Sequence, residues 1–263
     1  MRTLLDTSSR LGVMTAMPEE IAALDGALEG RRVEHAGLRE YHSGRLFGRD
    51  VVIVMARVGK VAAASTATQL LTRFDVGGVI MTGLAGGVGE GVRVGDLVIG
   101  RETIQHDLDA SPLFPRHEAP LLGRSRFVAP EGDAQAATRA AEAFLTHDLD
   151  TALGEARSGS LGIDAPRAHA GLIATGDQFF TDNDRIGALR AMLPEALAVE
   201  MEGAAVAQVC HEHDTPCLVI RAISDRADAH ATEAFLHAMP RIAAAYAIGV
   251  LRRLLDPAQR RGQ

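Results

Sequence analysis

The chain has no tryptophan, two tyrosines, eight phenylalanines and two cysteines in 263 residues. With so few aromatics, its core has to be assembled from Ala, Val, Leu and Ile. Two cysteines do not make a disulfide framework, so Cys210 and Cys217 read as small buried residues of a protein kept in a reducing compartment. No apolar run approaches the roughly 20 residues of a membrane span. The N-terminus, MRTLLDTSSRLG, lacks the sustained apolar stretch of a signal peptide. An excess of positive charge is missing too: the formal net charge is −7, which gives no electrostatic reason to expect nucleic acid or an anionic membrane as partner. The expectation is a cytoplasmic protein.

What is present alternates. Apolar runs at residues 11–17, 77–82, 168–175, 196–199 and 217–223 read as strands, and residues 32–57 read as strands with a turn at 48–50. Helical patterns begin at Pro18 and cover 59–74, 133–149, 182–193, 203–211 and 231–255, the last broken or bent at Pro240. This alternation predicts an α/β fold: one domain over residues 11–255, a central mixed twisted β-sheet flanked by helices on both faces. Residues 1–10 and 256–263 are expected to be flexible ends. Residues 101–132 form a long, proline-bearing loop, the kind that usually serves as a lid or binding segment.

The glycine cluster at 83–91 invites a dinucleotide-binding reading, but such a loop opens a helix, whereas 92–100 (VRVGDLVIG) reads as a strand with a Gly-Asp turn. No Gly-Lys-Ser/Thr loop follows any strand, so a P-loop is not expected. His106, Asp107 and Asp109 have metal-ligand chemistry without a partner cluster at a recognisable spacing. Residues 210–214 (CHEHD) are better explained as a solvated helix end.

Residues 199–228 concentrate the chemistry. They place Glu200-Met201-Glu202 at the end of one strand and Ser224-Asp225 at the end of the next. In open α/β sheets ligands bind where strands end, and the other strand ends present Glu20, residues 84–86 and the pair Phe179-Phe180. Taken alone, Glu20 is explained as an acid at a helix N-terminus and the phenylalanines as core. Taken together, the carboxylates suit a positive, oxocarbenium-like transition state, and an aromatic face suits a flat leaving group. The residues by themselves indicate a carboxylate-rich site for a sugar-containing, aromatic ligand.

The motifs AMPEE (16–20), VGKVA (58–62), TGLAGG (82–87), VGD (94–96), GDQF (176–179), VEME (199–202) and RAISD (221–225) occur together and in order. In this the chain resembles the 5′-methylthioadenosine/S-adenosylhomocysteine nucleosidases of the purine nucleoside phosphorylase superfamily. The resemblance implies a nucleoside phosphorylase-like fold and hydrolysis of an N-glycosidic bond with release of adenine. Glu20 would activate the water, and Asp225 would protonate the purine, supported by Ser224 and Arg221. Glu202 would hold the ribose hydroxyls over Met201. Phe179 would stack on the base, and the backbone of Phe180 would read its edge, with Ala85, Gly86 and Val58 completing the pocket. The resemblance further implies a homodimer, the 106–120 loop reaching into the partner's 5′ pocket, and neither metal nor organic cofactor. Three positions depart from the family: Leu84 replaces a serine, Arg57 a small residue and Leu113 an aromatic. Arg57 is a possible anion binder, and Leu113 a member of the 5′ pocket. Phosphorolysis and non-catalytic nucleoside binding are the alternatives these departures leave open.

Overall fold

The computed structural model describes residues 3–154, 163–225 and 239–260. One ten-stranded mixed sheet runs through the chain. Strand β1 (Arg10–Thr15) lies parallel between β4 (Arg49–Met55) and β5 (Val76–Gly87). Outside β4 come β3 (Arg39–Leu46) and β2 (Glu29–Ala36), both antiparallel. The β-branched run of β4 and the apolar run of β1 are covered on both faces, as parallel central strands are.

On the other side of β5 the sheet closes. β5 pairs with β10 (Cys217–Asp225), β10 with β6 (Leu97–Gln105), β6 with β8 (Ala168–Thr175), β8 with β9 (Ala196–Glu200), and β9 returns to Gly86 and Gly87 of β5. The short β7 (Arg126–Val128) extends β6. A ring of five strands results. It needs β5 to continue five residues past the expected end at Thr82, through the glycine cluster, because those glycines pair with β10 and β9 rather than forming a loop.

Helices α1 (Pro18–Gly26), α3 (Glu131–His147) and α7 (Met239–Leu255) pack together on one face, and α2 (Lys60–Arg73) and α6 (Gly203–Glu212) on the other. α4 (Leu149–Leu153) extends α3, and α5 (Asn183–Met192) covers β8 and β9 after an Asp182 cap. The fold class is as the alternation predicts. Among the described residues no helix is long and apolar enough to cross a membrane.

Several boundaries differ from the sequence reading. Residues 92–96 are a turn and not the start of a strand. The buried Asp96 ties it off, accepting the N–H groups of Arg93 (3.0 Å) and Arg167 (2.8 Å) and bonding His169 Nε2 (2.8 Å). The N-terminal segment is docked from residue 3 onward: Leu4 is buried over Gly78, and its N–H donates to Asp133 Oδ2 at 2.9 Å. Residues Pro257–Arg260 form a helical turn, α8. Pro240 is the second residue of α7, and the expected helical stretch 231–238 lies outside the described residues. Cys210 is buried, but Cys217 only partly so; both are free thiols.

Candidate active site

The ends of β1, β5, β8, β9 and β10, with the loop after β4, surround a cavity of about 400 Å³. This is where a parallel sheet offers a crevice. Its apolar walls come from Met17, Val58, Leu84, Phe179, Phe180, Val199 and Met201, and its polar groups from Gln178, Glu200, Glu202, Ser224 and Asp225.

The acids are organised around one arginine. Arg221, on β10, is fully buried and ion-pairs with Glu200, with Glu202 Oε2 at 3.4 Å from the same nitrogen. The guanidinium fits because residue 83 is glycine: a Cβ there would come within 2.0 Å of Arg221 Nη1. Glu200 also accepts the Thr175 hydroxyl and the N–H groups of Glu202 (3.0 Å) and Gly203 (2.8 Å), closing the start of α6. Glu202 Oε1 accepts the Gly59 N–H at 2.9 Å. Burial, reinforced by the charge of Glu200, pushes the Glu202 carboxyl up to about 7.

Glu20 stands third in α1, behind Pro18, and folds back so that Oε2 accepts the N–H groups of Ala16 (3.2 Å) and Met17 (3.0 Å). Only 1% of the residue is exposed, and burial pushes its carboxyl up to about 7 against the pull of those N–H groups and of Arg221. On the opposite strand, the Ser224 hydroxyl donates to Asp225 Oδ2 at 2.6 Å, with the Ala85 carbonyl 3.3 Å away.

Most residues singled out in the sequence meet at this cavity: Val58, Ala85, Gly86, Phe179, Phe180, Met201, Glu202, Ser224 and Asp225 all line it. Phe179 is half-exposed, whereas the Phe180 ring is buried edge-on against His106, so its side chain belongs to the core. Glu20 and Arg221 lie behind the wall rather than on it: Glu20 is bonded to Ala16 and Met17, which do line the cavity, and Arg221 to Glu200 and Glu202. One expectation is corrected: Arg57 points away, its guanidinium donating to the Leu38 carbonyl at 2.6 Å. Leu113 is 84% exposed, on the segment expected to reach a partner's 5′ pocket. Asp107, considered above for a metal, is engaged by Lys60 and by the Asp177 N–H. Sequence reasoning passed over Gln178, Met17 and the Lys60–Asp107–Asp177 contacts. Only the long-range pairing of strand ends brings those together.

A mixed sheet closed into a ring, with an acid-rich cavity at its strand ends, defines a phosphorylase-type scaffold, and the phosphorylase superfamily family model matches residues 10–256. Within it, the chain belongs to the 5′-methylthioadenosine/S-adenosylhomocysteine nucleosidase family. It is 36% identical over 227 residues to the nucleosidase of Marinomonas sp. (86% of this chain, 90% of the relative), and 38% identical to that of Geobacillus thermodenitrificans (86% and 88%). Among solved structures, the Neisseria meningitidis nucleosidase in complex with methylthio-immucillin-A superposes with a TM-score of 0.81 at 32% identity, covering 94% of this chain and 99% of that one. The Colwellia psychrerythraea nucleosidase in complex with adenine gives 0.80 at 31% (95% and 97%). Futalosine hydrolase of Helicobacter pylori gives 0.78 at 27% (93% and 96%).

Proposed function

We propose that this chain hydrolyses the N-glycosidic bond of 5′-methylthioadenosine/S-adenosylhomocysteine-type nucleosides and releases adenine. The observation that carries this reading is the charge of the cavity wall. Glu200, Glu202 and Asp225 line it, and among the described residues no lysine or arginine does. Such a wall stabilises the positive charge that develops on the sugar as the bond to the base breaks. Arg221, the buried cation behind the wall, is engaged by Glu200 and Glu202, and Arg57 is turned toward Leu38, so neither is offered to a phosphate. Hydrolysis is therefore favoured over phosphorolysis.

Glu20 takes a proton from the attacking water; a carboxyl near 7 is well placed to be ionised and still basic at neutral pH. Asp225 delivers a proton to the leaving purine, held in orientation by Ser224. Glu202, fixed by the Gly59 N–H, accepts the ribose hydroxyls above Met201. The exposed face of Phe179 stacks on the base, and the backbone of Phe180 reads its edge. The complexes of the Neisseria and Colwellia nucleosidases with a nucleoside analogue and with adenine support a small-molecule adenine nucleoside as partner. The active unit is a homodimer, a reading supported by the exposure of Leu113 and Leu121 in the segment between β6 and β7.

The test is a substrate panel of methylthioadenosine, adenosylhomocysteine, adenosine and inosine, each with and without phosphate. Free base and free pentose at rates indifferent to phosphate are expected. A sugar-1-phosphate product would replace this reading with phosphorolysis, and tight binding without product would replace it with a binding protein.

A further inference from the structure

A polar cluster set back from the cavity wall ties the chain after β6 to three segments that line the cavity. Lys60 opens α2; its backbone N–H donates to Asp177 Oδ1 at 2.8 Å and its ammonium to Asp107 Oδ1 at 2.7 Å. The other oxygen of Asp107 accepts the Asp177 N–H at 2.9 Å. One residue before Lys60, the Gly59 N–H holds Glu202. Gly59 has φ +97°, and a Cβ there would come 3.2 Å from Asp177 Oδ1, so the backbone passes close against the cluster. Asp107 follows β6 and Asp177 follows β8, immediately before the Gln178-Phe179-Phe180 wall.

The pair is sheltered, with both side chains 18% exposed. Burial alone would raise the Asp107 carboxyl, yet the Lys60 ammonium and the Asp177 N–H outweigh it and hold the group below the usual carboxylate range. A cap for α2 needs only the Asp177 carboxylate on the Lys60 N–H. The ammonium–Asp107 pair is superfluous to that task, but it fixes where Asp177, and hence the wall, can sit.

We propose that Lys60 and Asp107 are positioning residues that act through Asp177 and Gly59 to hold the Gln178–Phe180 wall and Glu202 at the spacing the nucleoside requires, an inference that rests on the nucleosidase reading of the cavity. Neither residue lines the cavity. Lys60→Met deletes the ammonium while keeping the capping N–H, Lys60→Arg restores a cation, and Asp107→Asn removes the negative charge. Lys60→Met is expected to raise KM for methylthioadenosine about tenfold, the scale of one charge-assisted hydrogen bond, with kcat changed less than about threefold. Lys60→Arg should recover most of the loss, and Lys60→Met/Asp107→Asn should be no worse than the poorer single variant. An unchanged KM, additive losses, or a Lys60→Arg variant as poor as Lys60→Met would each overturn the proposal. Amide hydrogen exchange at residues 177–180 reads the clamp without turnover. Faster exchange in Lys60→Met is expected even if the wild-type protein releases no base, an outcome that would sink the nucleosidase reading alone. Unchanged exchange would sink the clamp.

Discussion

Replacing Glu20 by Gln should stabilise the protein at pH 8, leave it nearly unchanged at pH 5, and abolish release of adenine. The residue is 1% exposed, and burial moves its carboxyl from an ordinary 4.5 to about 7. A carboxyl raised on folding holds its proton more tightly in the folded chain than in the unfolded one. Stability is therefore fully present below about 4.5, falls as pH rises, and has lost this contribution above about 7. At about 1.4 kcal/mol per pH unit, the ionised form is disfavoured by about 3–4 kcal/mol. Gln carries no charge at either pH, and its one carbonyl oxygen can accept both N–H groups now received by Glu20 Oε2. Glu202 is common to both proteins and drops out of the difference. Urea unfolding of wild type and variant at pH 5 and pH 8 measures it. The variant should gain about 3 kcal/mol on the wild type between the two, and wild-type kcat/KM should rise with pH through about 7. A variant no more stable at pH 8, or a gap equal at both pH values, would refute the claim that Glu20 is a buried, proton-binding base.

Asp225→Asn should keep an acceptor for the Ser224 hydroxyl but cut adenine release by about 10²–10⁴, with adenine still bound in calorimetry; near-normal turnover would remove Asp225 from the proton-donor role. Gly83→Ala puts a methyl 2.0 Å from Arg221 Nη1, and thermal unfolding should show a loss of about 1–3 kcal/mol; an unchanged melting temperature would mean the guanidinium moves freely. Arg221→Met leaves Glu200 and Glu202 without their buried cation, a loss of about 3–5 kcal/mol. That loss should shrink at pH 5, where Glu202 has taken up its proton, and denaturant curves at the two pH values check it.

The chain's periodic segments were legible. Residues 168–175 form the expected strand, and 182–193 enclose α5 with Asp182 as its cap, because apolar alternation and a capping side chain are local signals. The cavity was legible to the extent that strand ends carry distinctive residues, as with Glu202, Phe179 and Asp225. What resisted reading was non-local. Glycines at 83–87 carry no side-chain pattern, so nothing marked them as strand until β9 and β10 were paired against them. Leu4 looked like part of a loose end because its partners, Gly78 and Asp133, are far along the chain. Arg57 sits before a functional motif, yet its φ of +68° and the nearby Leu38 carbonyl turn it outward, which residue type alone does not disclose.

Closure of five strands into a ring leaves the outer side of β2 as the long unpaired edge among the described residues. An open edge is a template for another chain's backbone. Here it carries Arg31, Arg32 and Glu34, and the register slips between Glu29 and Arg32, with Gly30 at φ +62°. An incoming strand would have to desolvate those charges and follow a kinked partner. Resistance to edge-to-edge self-association in a concentrated solution thus rests on a handful of exposed charges at the rim, remote from the cavity and from the residues that hold the fold together.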